Sequence, residues 1–156
     1  MKFSLVDKVV EIQRGTRIVT VKAVTLAEEY LADHFPTFPI LPGVFMLQVM
    51  VESASWLVRD ALDFAPPVIL LREAKNVTYK SLVKPGQLLR VEVTCRKLSS
   101  AESDFEGTGF CGETEAVRGR FGLIHFSAAE RRGLPLAADQ RLVADARAQW
   151  ARLQPA

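Results

Sequence analysis

Cysteine and histidine are scarce in this sequence of 156 residues, which contains two of each. Cys95 and Cys111 lie far apart, and neither has another cysteine or a histidine at the spacing of metal ligands. No metal site is therefore predicted. We expect both thiols to be reduced and half buried, as in a cytoplasmic protein, while a disulfide between them is the less favoured alternative.

The sequence also lacks a strong net charge and a long apolar segment. Its formal net charge is +2, which is too small to indicate a nucleic-acid partner. Near the N-terminus, Asp7, Lys8 and Glu11 interrupt any signal-peptide core. The apolar run at residues 44–51 is too short for a membrane span and contains Gln48. These absences predict one globular domain in the cytoplasm, with no membrane span.

Strands are predicted on both sides of one long helix. Val, Ile and Thr alternate through residues 5–25, which indicates two strands that join at a turn around Gly15. Strand-like segments resume after Pro66 and Pro67, and the last three of them are typical of an antiparallel meander. Antiparallel strands combined with one helix predict an α+β domain.

The long helix is predicted from Gly43 to about Leu62, where no residue breaks it. It is apolar almost all round, so a sheet that curls around it is expected to bury it. Four polar residues fall at i, i+4, i+7 and i+11 on one face, namely Gln48, Glu52, Ser55 and Arg59. This polar stripe must face a cleft or a subunit boundary.

The C-terminal segment differs in composition from the rest. Residues 127–156 are rich in Ala and Arg, and Leu142, Ala146 and Trp150 have the spacing of a helical packing stripe. We therefore expect a core domain over residues 1–126 and a helical extension over residues 127–156. The helix is expected to be exposed and either to dock weakly or to contact a partner.

The loop that leads into the start of the long helix contains a histidine, His34. Its sequence is HFPTFPILPGV, residues 34–44, and a later segment, VTYKSLVKPGQLLRVEV, spans residues 77–93. Together with the order of elements, these segments resemble the beta-hydroxyacyl-acyl-carrier-protein dehydratases of type II fatty-acid synthesis. The resemblance covers about residues 3–126. It implies a hot-dog fold, in which a curved antiparallel sheet wraps around one long buried helix.

The resemblance also implies a site at the interface of a homodimer, and such dimers often form a trimer of dimers. His34 is the expected base, and a neutral imidazole suits that role. The backbone amides of Gly43 and Val44 are expected to support the thioester carbonyl, with Phe35 and Pro42 in the same substrate-binding loop. The implied substrate is a beta-hydroxyacyl thioester carried on the phosphopantetheine of acyl carrier protein or on coenzyme A, without a metal or redox cofactor.

The sequence departs from the family pattern at the helix acid. That acid lies fourteen positions after the loop histidine, and here the position holds Gln48, whose amide cannot donate a proton at neutral pH. Four residues later, where the family usually has glutamine, this sequence has Glu52. Gln48 and Glu52 are thus both candidate site residues. The structural alternatives are that Gln48 satisfies a buried backbone group and that Glu52 pairs with Arg59 or with a basic residue across the dimer.

Three functional alternatives follow from the presence of glutamine at position 48 and glutamate at position 52. Glu52 acts as a displaced acid through a water, assisted by Gln48, and the protein is a dehydratase. Alternatively, Gln48 positions a water or a carbonyl for thioester hydrolysis or a related reaction. In the third, the chain is a non-catalytic subunit that binds acyl thioesters. We favour the dehydratase because the rest of the signature loop is present.

Overall fold

The structure is a computed structural model, and it describes residues 3–154. The elements follow one another as β1 (Lys8–Gln13), β2 (Arg17–Ala23), α1 (Tyr30–Asp33), α2 (Gly43–Ala61), β3 (Val68–Tyr79), β4 (Leu88–Leu98), β5 (Glu102–Cys111), β6 (Thr114–Phe126), α3 (Ala128–Arg132) and α4 (Leu136–Leu153). The predicted hairpin, the long helix and the later strands are all present. The helix α2 ends at Ala61, one residue before its predicted limit.

The six strands form one sheet in the order β1-β2-β4-β5-β6-β3. Every neighbouring pair is antiparallel, so the predicted meander of β4, β5 and β6 is confirmed. The strand β3 lies at an edge of the sheet, beside β6. Its backbone is irregular between Lys75 and Thr78, where Asn76 adopts a positive φ of 52°. Asparagine is one of the few residue types that tolerate this conformation, so the bulge is consistent with its sequence.

The helix α2 packs on one face of the sheet, and its apolar side chains form the centre of the core. Val49, Met50 and Ala54 are fully buried there. The helix α2 lies very close to β5. A Cβ atom at Gly107 of β5 would lie only 2.7 Å from the Sδ atom of Met50 in α2. A glycine at this position therefore allows the helix to lie directly on the strand. The α+β architecture predicted from the sequence is confirmed.

The C-terminal helix α4 is more firmly attached than the sequence suggested. The indole of Trp150 stacks on that of Trp56 in α2, with ring centroids 5.6 Å apart and an angle of 21° between the planes. Ala146, Trp150 and Leu153 are buried and belong to the main core cluster. The expectation of weak docking was wrong, because it did not foresee this aromatic contact with α2. Of the predicted packing stripe, only Leu142 stays exposed.

Both cysteines are free thiols of intermediate exposure, as predicted. Burial raises the pKa of Cys95 and that of Cys111, so both thiols are held in the protonated form more strongly than an exposed thiol. Within residues 3–154, no helix combines the length and apolar character needed to cross a membrane.

Candidate active site

His34 stands where the short helix α1 gives way to the proline-rich loop. Its backbone N–H donates to the carbonyl of Tyr30 at 3.2 Å and so closes α1. The next residue, Phe35, has a φ of 52°, a left-handed conformation that is uncommon for a residue with a side chain. This reverses the chain, and Phe38 then donates its N–H to the carbonyl of Phe35 at 2.8 Å. The loop is thus held in one conformation immediately after the imidazole.

The imidazole of His34 is oriented by its own loop. Its Nδ1 atom lies 3.1 Å from the carbonyl oxygen of Ile40. A carbonyl can only accept, so Nδ1 must carry the hydrogen, and in the neutral ring Nε2 keeps its lone pair. The ring also contacts that of Phe35, edge to face, with centroids 4.7 Å apart. The neutral ring is therefore held in the tautomer that leaves Nε2 as the acceptor, which is the arrangement that a general base requires.

The start of α2 offers free backbone donors. Pro42 precedes the helix and has no N–H, while its carbonyl accepts from Phe45 at 2.9 Å and from Met46 at 3.3 Å. No side chain among residues 3–154 caps this end. The N–H groups of Gly43 and Val44 come before the first helical hydrogen bond and form part of the positive end of the helix dipole. They are suited to an oxygen that gains negative charge during a reaction.

Gly43 also has a steric reason to lack a side chain. A Cβ atom there would lie 3.1 Å from the ring of Tyr79 and so would press against it. Tyr79 is the last residue of β3 and is 46% exposed. The end of the edge strand and the first turn of α2 are therefore in contact.

The polar stripe of α2 lines a single groove, as the sequence predicted. This groove, called the α2 groove below, has a volume of ≈ 680 Å³ and includes Gln48, Glu52, Ser55 and Arg59. Its apolar walls come from the N-terminal segment, from α2 itself, from the start of β3 and from α4. They comprise Phe3, Val51, Trp56, Ile69, Leu70, Leu71, Leu142 and Ala146. Part of the groove is thus built by the C-terminal helix.

Glu52 is held by the N-terminal segment. Its Oε1 atom accepts from the hydroxyl of Ser4 at 2.6 Å, and its Oε2 atom accepts from the N–H groups of Leu5 at 2.8 Å and Val6 at 3.4 Å. The side chain of Gln149 in α4 donates in turn to the hydroxyl of Ser4 at 2.9 Å. Both carboxylate oxygens are therefore acceptors in a structural contact, and neither Arg59 nor another cation pairs with them among the described residues.

The groove does not contain all the predicted site residues. Gln48 and Glu52 line it, whereas His34, Phe35, Pro42, Gly43 and Val44 do not. The loop instead exposes apolar side chains at the surface, with Phe35 59% and Phe38 50% exposed. Within one chain, the imidazole and the polar stripe thus belong to two separate surfaces.

The contact between His125 and Ser103 was not predicted from the sequence. His125 near the end of β6 is buried, and its Nε2 atom lies 2.8 Å from the hydroxyl of Ser103 on β5, which is buried as well. The strand pattern around residue 125 gave no sign of a polar partner, because the partner lies on a neighbouring strand. Within residues 3–154, no three or more His, Cys, Asp or Glu side chains are grouped so that they could hold a metal ion.

The fold and the loop at the start of α2 define an α+β protein of the hot-dog class. The structure resembles the dehydratase heterocomplex ApeI:P from Xenorhabdus doucetiae, with a TM-score of 0.68, 19% sequence identity, and coverage of 81% of this chain and 86% of that one. It also resembles a hypothetical thioesterase with coenzyme A from Streptococcus pneumoniae TIGR4, with a TM-score of 0.59, 9% identity, and coverage of 77% and 85%. At these identities the likeness shows the fold, and the predicted hot-dog fold is confirmed.

The sequence comparisons are more specific. Residues 1–115 match the model of the FabA-like domain. The 3-hydroxyacyl-(acyl-carrier-protein) dehydratase FabZ of Variovorax paradoxus is 34% identical over 113 residues, which are 70% of this chain and 75% of that protein. FabZ of a Polaromonas species is 35% identical over 115 residues, with 72% and 79% covered. The chain belongs to the FabA-like family, as the signature loop predicted.

Proposed function

We propose that this protein is a dehydratase of fatty-acid or related acyl-chain biosynthesis in the cytoplasm. Its substrate is a 3-hydroxyacyl thioester, carried on the phosphopantetheine of acyl carrier protein or on coenzyme A, and it uses no metal or redox cofactor. Membership of the FabA-like family supports the reaction class. The observation that carries the proposal is the hydrogen bond from Nδ1 of His34 to Ile40, which leaves Nε2 free to accept a proton.

The proposal requires a homodimer, and the edge strand β3 offers the surface for one. Leu70 and Leu71 of β3 are 47% and 41% exposed, which is unusual for a strand that pairs with β6 on one side and has an open edge on the other. A two-fold axis would pair two β3 strands antiparallel, so that the start of one lies beside the end of the other. Tyr79, which packs on Gly43, ends β3. The pairing therefore brings the helix start and loop of one chain toward the α2 groove of the other, and three such dimers could assemble further.

The proposed reaction gives a separate role to His34, to the backbone at the start of α2, and to Gln48. Nε2 of His34 takes a proton from C2 of the substrate, and the electrons move toward the thioester carbonyl, whose oxygen is held by the N–H groups of Gly43 and Val44. Loss of the 3-hydroxyl as water then forms the C2–C3 double bond. Gln48 from the other chain holds the departing hydroxyl by a hydrogen bond, since its amide cannot protonate it. The imidazolium of His34 returns the proton to that hydroxyl, so no net proton is gained or lost.

The hydrogen bonds that Glu52 accepts from the N-terminal segment oppose its role as a displaced acid. To donate a proton, its carboxyl group would have to release Ser4 or Leu5. One helical turn also separates it from the position of Gln48, about 5–6 Å along the axis. We therefore assign Glu52 the role of fixing the N-terminal segment beside the groove.

A second candidate function is a non-catalytic subunit that binds acyl thioesters in a complex with an active homologue. The observation that favours it is the combination of Gln48 at the acid position with a Glu52 that is fully occupied by the N-terminal segment. Such a chain keeps the groove and the interface but takes its acid from the homologue. A thioesterase is distinguished from both by the release of free thiol.

The test measures the trans-2-enoyl product formed from 3-hydroxyacyl-acyl carrier protein, with free thiol followed in parallel. We expect product from the wild type, a loss of about 100-fold or more in His34→Ala, and no loss in Asp33→Asn, an exposed neighbour in the chain. An equal rate in His34→Ala would remove this imidazole from the mechanism. Absence of product in the wild type, with retained binding of the thioester, would favour the non-catalytic subunit.

A further inference from the structure

The ring of Tyr79 lies directly against the first residue of α2. A Cβ atom at Gly43 would lie 3.1 Å from Cε1 of that ring and 3.3 Å from both Cδ1 and Cζ. Because Cζ carries the phenol oxygen, the hydroxyl is only one bond away from an atom at this distance. The ring edge that faces Gly43 therefore brings the hydroxyl of Tyr79 close to the start of the helix.

Tyr79 lies on the side of α2 toward which the free backbone donors point. In an α-helix each Cα–Cβ bond tilts toward the N-terminus, so a Cβ atom at Gly43 would point that way, toward the ring. The N–H groups of Gly43 and Val44 also point toward the N-terminus, and neither is used within the helix. The hydroxyl and the two amides are thus donors at the same end of α2.

The hydroxyl of Tyr79 is available to a ligand. It forms no hydrogen bond with any of residues 3–154, and the side chain is 46% exposed. Burial of part of the side chain raises the pKa of Tyr79, so the oxygen keeps its proton and remains a donor at neutral pH. The other tyrosine of the chain, Tyr30, differs in that its hydroxyl is buried.

The proposed dimer places this hydroxyl at the subunit boundary. When two β3 strands pair antiparallel, the end of one lies beside the start of the other. Residues 69–71 at the start of β3 line the α2 groove. Tyr79, at the end of β3, would then stand between the helix start of its own chain and the groove of the second copy. A thioester that crosses this boundary would pass the hydroxyl and the two amides together.

We propose that the hydroxyl of Tyr79 is a third hydrogen-bond donor to the carbonyl oxygen of the acyl thioester, beside the N–H groups of Gly43 and Val44. This inference rests on the proposed function, because it takes the start of α2 to be the place that holds the carbonyl. As His34 removes the proton from C2, that oxygen gains negative charge. A donor that faces it stabilises the transition state more than the bound substrate. Tyr79 is thus a catalytic residue that donates a hydrogen bond and transfers no proton.

The first test is Tyr79→Phe, which removes the hydroxyl and keeps the ring against Gly43. We expect kcat for the formation of trans-2-enoyl product from 3-hydroxyacyl-acyl carrier protein to fall about 10-fold, as for the loss of one hydrogen bond to a charged oxygen. KM should stay nearly the same, because the bond strengthens only as charge develops. The matched control is Tyr30→Phe, which loses a buried hydroxyl and should keep the wild-type kcat.

The second test observes the hydrogen bond in a ligand that cannot lose water. An acyl thioester of acyl carrier protein that lacks the 3-hydroxyl group, with an isotopic label at the carbonyl carbon, is bound to each protein. Infrared difference spectroscopy then gives the stretching frequency of its carbonyl group. We expect a lower frequency in the wild type and in Tyr30→Phe than in Tyr79→Phe, because the last has lost one of three donors to that oxygen.

The remaining outcomes separate the inference from the proposed function. An unchanged kcat in Tyr79→Phe, or a carbonyl frequency equal to that of the wild type, overturns the inference and leaves the proposed function intact. A rise in KM alone would place the hydroxyl on another part of the substrate and would also overturn it. If Tyr79→Phe weakens the dimer, the carbonyl frequency of the ligand bound to the remaining dimer decides. A wild type that neither forms product nor binds the thioester contradicts the proposed function, and the inference with it.

Discussion

Ser4 donates a hydrogen bond from its hydroxyl to Oε1 of Glu52 over a distance of 2.6 Å, although 48 positions separate the two residues in the chain. The same hydroxyl accepts from Gln149 in α4. The N-terminal segment, the central helix and the C-terminal helix thus meet at one carboxylate. A residue that the sequence placed among candidate acids is, in the structure, the point at which three segments are joined.

This junction predicts a loss of stability in Glu52→Gln. The amide can replace only one of the two acceptor oxygens, and its NH₂ group would face the donors of Ser4 or Leu5. We expect the free energy of unfolding to fall by about 2 kcal/mol, as for the loss of hydrogen bonds to a charged group. Denaturant unfolding measures it, with Glu113→Gln in the exposed turn after β5 as the control. Unaltered stability combined with a complete loss of dehydration would instead make Glu52 a chemical participant.

Gly43→Ala should disturb the start of α2. The added methyl group would meet the ring of Tyr79 at 3.1 Å, and since that ring is half exposed, we expect it to move at a cost of about 1 kcal/mol. A double-mutant cycle with Tyr79→Ala tests the cause, because removal of the ring should make Gly43→Ala nearly neutral in stability. If the two substitutions are instead additive, the steric contact is not what constrains this position.

His125 should make the stability of the protein depend on pH. Burial lowers the pKa of His125, and the nearby charge of Arg59 acts in the same direction, while the backbone of Ser99 and Ser100 opposes it. The unfolded state, with a pKa of about 6.5, then takes up a proton before the folded state does. The free energy of unfolding should therefore fall as the pH drops below about 6.5 and rise again to its full value above it.

The variant His125→Gln should lessen this dependence. Urea unfolding of both proteins at about pH 7.5 and about pH 5.5 gives the comparison, since these values lie on either side of the ordinary histidine pKa. We expect the wild type to lose more stability on acidification than His125→Gln does. An equal loss in the two proteins would show that His125 is not the source.

Much of the fold could be predicted from local patterns in the sequence. The uninterrupted apolar stretch after Pro42 predicted α2 to within one residue of its end. Alternation of apolar and polar residues predicted the strands, and β6 shows the pattern clearly, with Phe121 and Leu123 buried and Arg118 and Arg120 exposed. These features depend on neighbours within a few residues, which is why a single sequence reveals them.

Contacts between distant segments could not be predicted in this way. Nothing near Glu52 in the sequence indicates Ser4, and nothing near Trp150 indicates Trp56. The helical extension over residues 127–156 was predicted, but its division into α3 and α4 was not. A signal for the separate start of α3 was present, since Ser127 and Glu130 have the spacing of a capping box and the hydroxyl of Ser127 accepts from the N–H of Glu130. The polar stripe was foreseen as a surface facing a cleft, but the wall that α4 adds to that cleft was not.

The most direct test of the proposed function is the rate of dehydration in Gln48→Glu. The substitution keeps the shape of the side chain and supplies a carboxyl group at the position of the family's acid. Because a positioned general acid contributes roughly 100-fold or more, we expect the variant to form trans-2-enoyl product from 3-hydroxyacyl-acyl carrier protein at least about 100-fold faster than the wild type. We also expect His34→Ala to abolish that gain in the double variant. A Gln48→Glu protein that is no faster than the wild type would contradict the placement of Gln48 opposite the imidazole in a dehydratase site.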